Sequence, residues 1–331
     1  MGESLDKFRG AAKTILNCAG DIGMMKKCVD EMYGEFLKFT NVNMSDQNDL
    51  AIILQNGKAI SPSAAAHCLL EMKRTALFLR GISKAIALKL SEQKKVTILY
   101  AGCGPYATLI TPLLSLLTNE DITVDLLDVN EISLNSARKV IEGFHLDRFV
   151  DDYLLEDAAV CKLKSEYDIV ISETLMAGLR NEPFVSIIKN LTSQLKPDCI
   201  FIPHEVVIKL KIDDGGIWNP ETLQADHINE IDLGEIFKVN RDTVSAPFTF
   251  PVISFDIPTG RGKPWSMKLY TTINVYDTIY LTDGDCSLNL PHRIDEFNEG
   301  ESVELEIDYN MNHPVKFNIK KALKSAYIPN F

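Results

Sequence analysis

The sequence predicts a mixed α/β chain in three parts: a helical region over residues 1–95, an alternating strand–helix unit over 96–203 and a β-rich unit over 204–331. Three observations predict it. Apolar residues recur at helical spacing through Ile15–Leu37 and again from Ala64 to Leu90. From residue 96, short β-branched runs alternate with amphipathic helical stretches, the pattern of a parallel sheet with helices on both faces. After Pro203 the pattern changes to strands separated by turn clusters, which suggests an antiparallel sandwich or barrel.

Taken in order, Ser61-Pro62-Ser63 can start the second helical stretch, because serine caps and proline suits the first turn. Val96–Tyr100 is a buried strand, and a helix is expected after the glycines that follow it. Ile122–Asp128 is the second strand and Ile132–Phe144 its helix; Asp168–Ser172 and Phe184–Leu195 repeat the pattern. Lys196-Pro197-Asp198 turns the chain into Cys199–Ile202. Beyond Pro203, Val206–Ile212, Phe250–Phe255, Lys268–Tyr280, Val303–Tyr309 and Val315–Ile319 read as strands.

The 331 residues are 46% hydrophobic and 24% charged, which excludes disorder as the dominant state. A formal charge of −12, with no local basic stripe, argues against a nucleic-acid partner. The acidity is uneven: residues 204–331 carry 20 acids and 12 bases. Val96–Thr118 holds no charged residue and imitates a membrane span, but Gly102, Gly104 and Pro105 break it in the middle, so no membrane is expected. Seven dispersed cysteines without a Cys-x-x-Cys pair, and no secretory apolar run in residues 1–30, suggest reduced thiols and a cytoplasmic location. The six histidines fall at no ligand spacing, so no metal is expected.

Ala101-Gly102-Cys103-Gly104 lies where the first strand ends, and glycines there let the backbone approach a ligand closely. The second strand ends in Asp128-Val129, where a carboxylate can accept hydrogen bonds from a ribose diol; the bland alternative is an Asp that caps the next helix. The third glycine of a dinucleotide fingerprint is missing, since Tyr106 stands in its place, and no Gly-Lys-Ser/Thr follows. This favours an adenosine cofactor without a pyrophosphate, S-adenosyl-L-methionine.

The strand Asp168–Ile171 runs into Ser172-Glu173-Thr174-Leu175-Met176-Ala177-Gly178-Leu179-Arg180-Asn181-Glu182. Two glutamates here bracket a short apolar loop at the sheet edge where ligands of open α/β sheets bind. Two carboxylates can each accept a bidentate pair from a planar guanidinium, whereas an acidic acceptor would face two like charges. The competing reading is surface ionisation, with Arg180 paired to Glu173 or Glu182.

This segment resembles the double-glutamate loop of the protein arginine methyltransferases. Glu71-Met72-Lys73-Arg74-Thr75 is similar to the family's acidic-x-x-Arg-Thr segment, Val96–Leu109 to its first motif, and Phe201-Ile202-Pro203 to its junction into the barrel domain. The resemblance covers residues 64–330 and is strongest over 96–203. It implies a Rossmann-like seven-stranded methyltransferase domain followed by an antiparallel β-barrel or sandwich-like domain. It also implies that Arg74 holds the methionine carboxylate, that Tyr100, Ala101, Gly102, Cys103 and Gly104 form the cofactor loop, and that Asp128 and Val129 meet the ribose. Asp157 and Ala158 would then lie near the adenine. Glu173 and Glu182 would clamp the substrate guanidinium, with Met176 and His292 as substrate-side candidates.

The chain departs from the family at several points. The N-terminal tyrosine-rich motif is missing, Tyr100 stands where the first motif has Asp, and Leu290-Pro291-His292-Arg293 replaces a Thr-His-Trp loop. The stretch after Pro203 is too short for the long helical dimerisation arm, so a homodimer is possible without that arm. The reading carried forward is an N-methyltransferase acting on a guanidino or amine nitrogen of a small molecule or peptide, arginine above all, in a biosynthetic pathway. Methylation of an unrelated metabolite and a non-catalytic cofactor-binding scaffold remain the alternatives.

Overall fold

The structure is a computed structural model and describes residues 2–18, 20–43, 50–118, 121–219, 224–226, 228–260 and 262–323. His227, one of the histidines weighed as a metal ligand, lies outside the described residues.

The first periodic stretch belongs to two helices, α1 (Gly2–Asn17) and α2 (Ile22–Phe36). The break falls where Asp21 caps α2, its carboxylate accepting the Met24 N–H at 2.9 Å. A hairpin follows, β1 (Ile52–Leu54) paired antiparallel with β2 (Gly57–Ala59). The second stretch is also divided, into α3 (Pro62–Cys68), capped by Ser61 as its sequence suggests, and α4 (Met72–Glu92).

The parallel sheet contains β3 (Val96–Ala101), β4 (Ile122–Asp128), β5 (Val150–Leu155), β6 (Ile169–Ile171) and β7 (Ile200–Ile202). Its order is β5-β4-β3-β6-β7, with every ladder parallel. Helices α5 (Thr111–Leu114), α6 (Glu131–Gly143) and α7 (Phe184–Thr192) complete the unit. The mixed α/β architecture is as expected, but among the described residues the sheet has five strands rather than seven. The chain does not turn back to add antiparallel edge strands after β7: it passes Pro203 and enters the second sheet system directly.

That system contains β8 (Glu205–Asp213), β9 (Ile217–Asn219), β10 (Gln224–Asp226), β11 (Glu230–Val239), β12 (Ile253–Asp256), β13 (Trp265–Tyr276), β14 (Ile279–Leu281), β15 (His292–Phe297), β16 (Ser302–Asn310) and β17 (Lys316–Leu323). A five-stranded sheet runs β11-β8-β13-β14, with β15 also on β13, and a three-stranded sheet runs β12-β16-β17. Alternate residues of β13 are buried along its whole length, as a half-covered strand requires. The expected strand Lys268–Tyr280 is interrupted by a turn in which Asp277 adopts φ 50°. Strand β11 escaped the sequence reading because register shifts at Asp232/Glu235 and Glu235/Phe237 disrupt its period of two.

The helical layer seals one end of the parallel sheet with aromatic rings: Phe8 stacks on Phe144 at 4.3 Å, and Phe36 on Tyr106 at 4.8 Å. Helix α4 packs on both halves of the molecule. Its Gly81 lets β13 come close, since a Cβ there would stand 2.6 Å from Val275 Cγ1.

Candidate functional site

A cavity of about 300 Å³ opens at the carboxyl edge of the parallel sheet. Strands β3 and β6 are neighbours whose following connections leave to opposite sides, the switch point at which open α/β sheets bind ligands. The loops after these two strands meet there: a Cβ on Gly102 would lie 2.4 Å from Thr174 Cγ2. With φ +76°, Gly102 is required both by its backbone and by this contact.

No helix starts directly after the glycines. The backbone forms successive turns as far as α5 at Thr111, and Tyr106 is fully buried, its hydroxyl donating to Val42 O at 2.7 Å. The N–H groups of the glycine turn itself are already used. Gly102 and Cys103 donate to Leu127 O at 2.8 and 3.1 Å, and Gly104 donates to Asp128 Oδ2 at 2.9 Å. A phosphate needs free amide donors, so this loop is shaped for a close approach and not for an anion.

Asp128 is buried at the end of β4, and its Oδ1 accepts the Asn130 N–H at 2.8 Å. Burial raises its pKa, and the backbone N–H groups of Asn130, Gly104 and Val129 oppose that rise. The cap of α6 is Asn130, whose Oδ1 accepts from Ile132 and Ser133. Asp128 is therefore not spent on capping, and it lines the cavity beside Val129, Glu156, Asp157 and Ala158.

Both glutamates of the loop after β6 line the same cavity. Glu173 accepts a hydrogen bond and ion pair from Arg74 on α4, and Arg74 also reaches Glu71 at 2.7 Å. Glu71 is fixed in turn by the Ser287 N–H at 2.7 Å and hydroxyl at 2.9 Å. The other oxygen of Glu173, Oε1, is buried without a partner. Burial pushes Glu173 up, with Arg74 pulling against it. Glu182 has no hydrogen bond to its carboxylate among the described residues. Burial and the like charge of Glu173 raise it to about 8, against the pull of Arg74, Lys58 and Arg180.

Arg180 takes part in no ion pair among the described residues, so the expected alternative of an Arg180–glutamate bridge is not what the loop forms. Its Nε is buried without a partner. The loop is also strained: Leu179 at φ 48° and Asn181 at φ 64° hold left-handed backbone that side chains disfavour.

The structure gathers Arg74, Tyr100, Gly102, Cys103, Gly104, Asp128, Val129, Asp157, Ala158, Glu173, Met176 and Glu182 around one cavity. Two named residues are not in its lining. Ala101 is fully buried inside the sheet, and His292 starts β15 behind the loop, 3.7 Å from where a Gly178 Cβ would stand. Burial and Arg180 hold His292 below the usual histidine range.

Sequence reasoning missed the hairpin, which brings Leu54, Lys58 and Ala59 to the wall, and it missed Cys68 of α3. The signal was present. Asn56-Gly57 between Ile52–Leu54 and Lys58–Ile60 is a hairpin pattern.

No family model matches the sequence, and no curated protein does. Among solved structures, the chain is similar to the Trypanosoma brucei PRMT1 enzyme–prozyme heterotetrameric complex with AdoHcy. The TM-score is 0.53 and the identity 13%, over 78% of this chain and 92% of that one. It is also similar to protein arginine methyltransferase 10 of Arabidopsis thaliana, solved in an open conformation, with a TM-score of 0.48 and 14% identity over 74% and 94% of the two chains. The first of these likenesses is one of fold: the parallel sheet with its helices and the antiparallel sheets that follow share the architecture of that structure.

Proposed function

We propose that the protein transfers a methyl group from S-adenosyl-L-methionine to a guanidino nitrogen. The observation that carries this reading is the placement of Glu173 and Glu182 in one cavity with Gly102, Gly104 and Asp128.

The residues present fit the cofactor. A glycine turn whose Gly102, Cys103 and Gly104 amides are consumed suits a nucleoside without phosphate, Asp128 offers acceptor capacity for a diol, and the glycine approach keeps room where a side chain would intrude. Gly102, Gly104, Asp128, Val129, Asp157 and Ala158 would hold it. When bound, it supplies an electrophilic methyl on a sulfonium.

The chain's own residues do the rest. Glu173 Oε1, buried and unpartnered, and the free carboxylate of Glu182 accept the donors of a guanidinium and fix its plane. Orientation of one terminal nitrogen is the main contribution, because positioning alone removes much of such a barrier. The two carboxylates also stabilise the positive charge that develops on the acceptor during transfer. Glu182, with its pKa near 8, can accept the proton that the nitrogen loses.

Mass spectrometry of guanidino compounds and arginine peptides after incubation with isotopically labelled S-adenosyl-L-methionine tests the reading. Label on a guanidino nitrogen supports it; label only on carboxylates, hydroxyls or carbon, or no transfer at all, refutes it.

A further inference from the structure

Lys58 is a cation in the lining of the same cavity that holds the Glu173–Glu182 pair. It lines the cavity from β2 and acts electrostatically on Glu182, yet its ammonium group forms no ion pair or hydrogen bond among the described residues. Its position is fixed by the backbone. The Lys58 N–H donates to Asn181 O at 2.7 Å, Asn181 N–H to Val315 O at 2.8 Å, and His313 N–H to Gln55 O at 2.8 Å. A Cβ on Gly57 would lie 2.8 Å from Asn181 O and 2.9 Å from Pro183 N, so the hairpin is pressed against the glutamate loop.

An unpaired cation beside a guanidinium site repels the acceptor unless the acceptor carries its own anion nearby. Arg74, the other cation of the cavity wall, is already held by Glu71 and Glu173. Lys58 is left to meet a negative group. The hairpin, the glutamate loop and the segment leading into β17 are tied together by backbone hydrogen bonds on the Glu182 side, which encloses the site there.

We infer that Lys58 determines specificity by taking the carboxylate of a small guanidino acid whose guanidinium enters the Glu173–Glu182 pair, so that the acceptor is a free amino acid of the arginine type and not arginine within a peptide. This inference rests on the methyl-transfer reading above.

The test compares kcat/KM of the full chain, with S-adenosyl-L-methionine, for arginine, Nα-acetylarginine, argininamide, agmatine and an arginine peptide. The two compounds with a free carboxylate are expected to exceed argininamide, agmatine and the peptide by about tenfold or more, the loss typical of a charged hydrogen bond. Lys58→Met should bring that ratio close to one, with the melting temperature and the cofactor Kd kept. Agmatine or the peptide matching arginine overturns the inference. So does a Lys58→Met protein that loses cofactor affinity while keeping the ratio, since Lys58 would then serve the cofactor's carboxylate. If no guanidino compound accepts a methyl group, the failure lies in the Glu173–Glu182 reading itself and is recorded as that.

Discussion

Glu173 and Glu182 share one cavity, but only Glu173 has a cation bonded to it: Arg74 reaches it from α4, while Glu182 stands without a hydrogen-bond partner among the described residues. Two carboxylates of the same loop therefore have opposite roles in the stability of the protein before any ligand arrives. Glu173 compensates a buried guanidinium. Glu182 is a buried acid that is easier to keep protonated.

The first prediction follows from that asymmetry. Glu173→Gln leaves Arg74 with Glu71 alone, and breaking a buried pair costs about 3–5 kcal/mol. Glu182→Gln removes an uncompensated acid and should leave stability unchanged or raise it. Both variants should lose most acceptor turnover, since truncating a charge pair with substrate costs about 2–5 kcal/mol, roughly a thirtyfold to several-thousandfold loss in kcat/KM. Urea denaturation alongside steady-state kinetics separates the effects. Equal stability losses in the two variants would contradict the assignment of Arg74 to Glu173.

A second prediction concerns pH. The folded pKa of Glu182, about 8, lies above the ordinary carboxyl value of 4.5. A raised carboxyl favours the folded state below pH 4.5, and that contribution is lost as pH rises through 8. The unliganded protein should thus lose stability between about pH 4.5 and 8, and Glu182→Gln should flatten the profile. The groups that face Glu182 are Glu173, Arg74, Lys58 and Arg180; the cations temper the shift and do not cancel it. A guanidinium acceptor favours ionised Glu182, so binding should tighten as pH rises toward 8. At pH 7 its binding should release close to one proton, about 0.9 from that pKa. Calorimetry in buffers of different ionisation enthalpy counts that proton; none released would reject the coupling.

How far the sequence led can be judged residue by residue. The glycine turn, Asp128 and the glutamate pair were legible because each follows a strand, and strand ends in a parallel sheet converge on one edge. The loop after β3 was misread because a helix usually follows the glycine turn of an alternating strand–helix unit, yet buried Tyr106 and the bonds to Leu127 O and Asp128 hold Gly102–Ile110 as turns. The Arg74–Glu173 pair joins residues far apart in the chain, and no spacing reveals such a contact. Lys58 was overlooked with its hairpin, whose strands are three residues each and too short for periodicity to register.

The two glycines of the first loop should differ on substitution. Gly102→Ala combines φ +76° with a Cβ 2.4 Å from Thr174 Cγ2, so strain and collision add. A loss of about 2–4 kcal/mol is expected, together with weakened cofactor binding. Gly104→Ala meets only Ala65 Cβ at 3.6 Å and bears the strain of φ +65° alone, about 1–2 kcal/mol. Thermal melts and cofactor titration of both variants check the order; Gly104→Ala as the worse of the two would refute it.

The last prediction addresses how the site is tied to the second sheet system. Helix α4 carries Arg74 near its start and, two turns on, packs Gly81 against β13, where a Cβ would stand 2.6 Å from Val275 Cγ1. Gly81→Ala should gain about 1 kcal/mol of helix propensity and lose about 1–3 kcal/mol to overpacking, a net loss. Val275→Ala alone should open a cavity worth roughly 1–3 kcal/mol. The methyl that Gly81→Ala adds falls where Val275→Ala removes one, so the double variant should be more stable than the sum of the single losses implies. A coupling of at least about 0.5 kcal/mol, measured by urea denaturation of all four proteins, is the expected outcome. Strict additivity would mean that helix and strand do not share this contact.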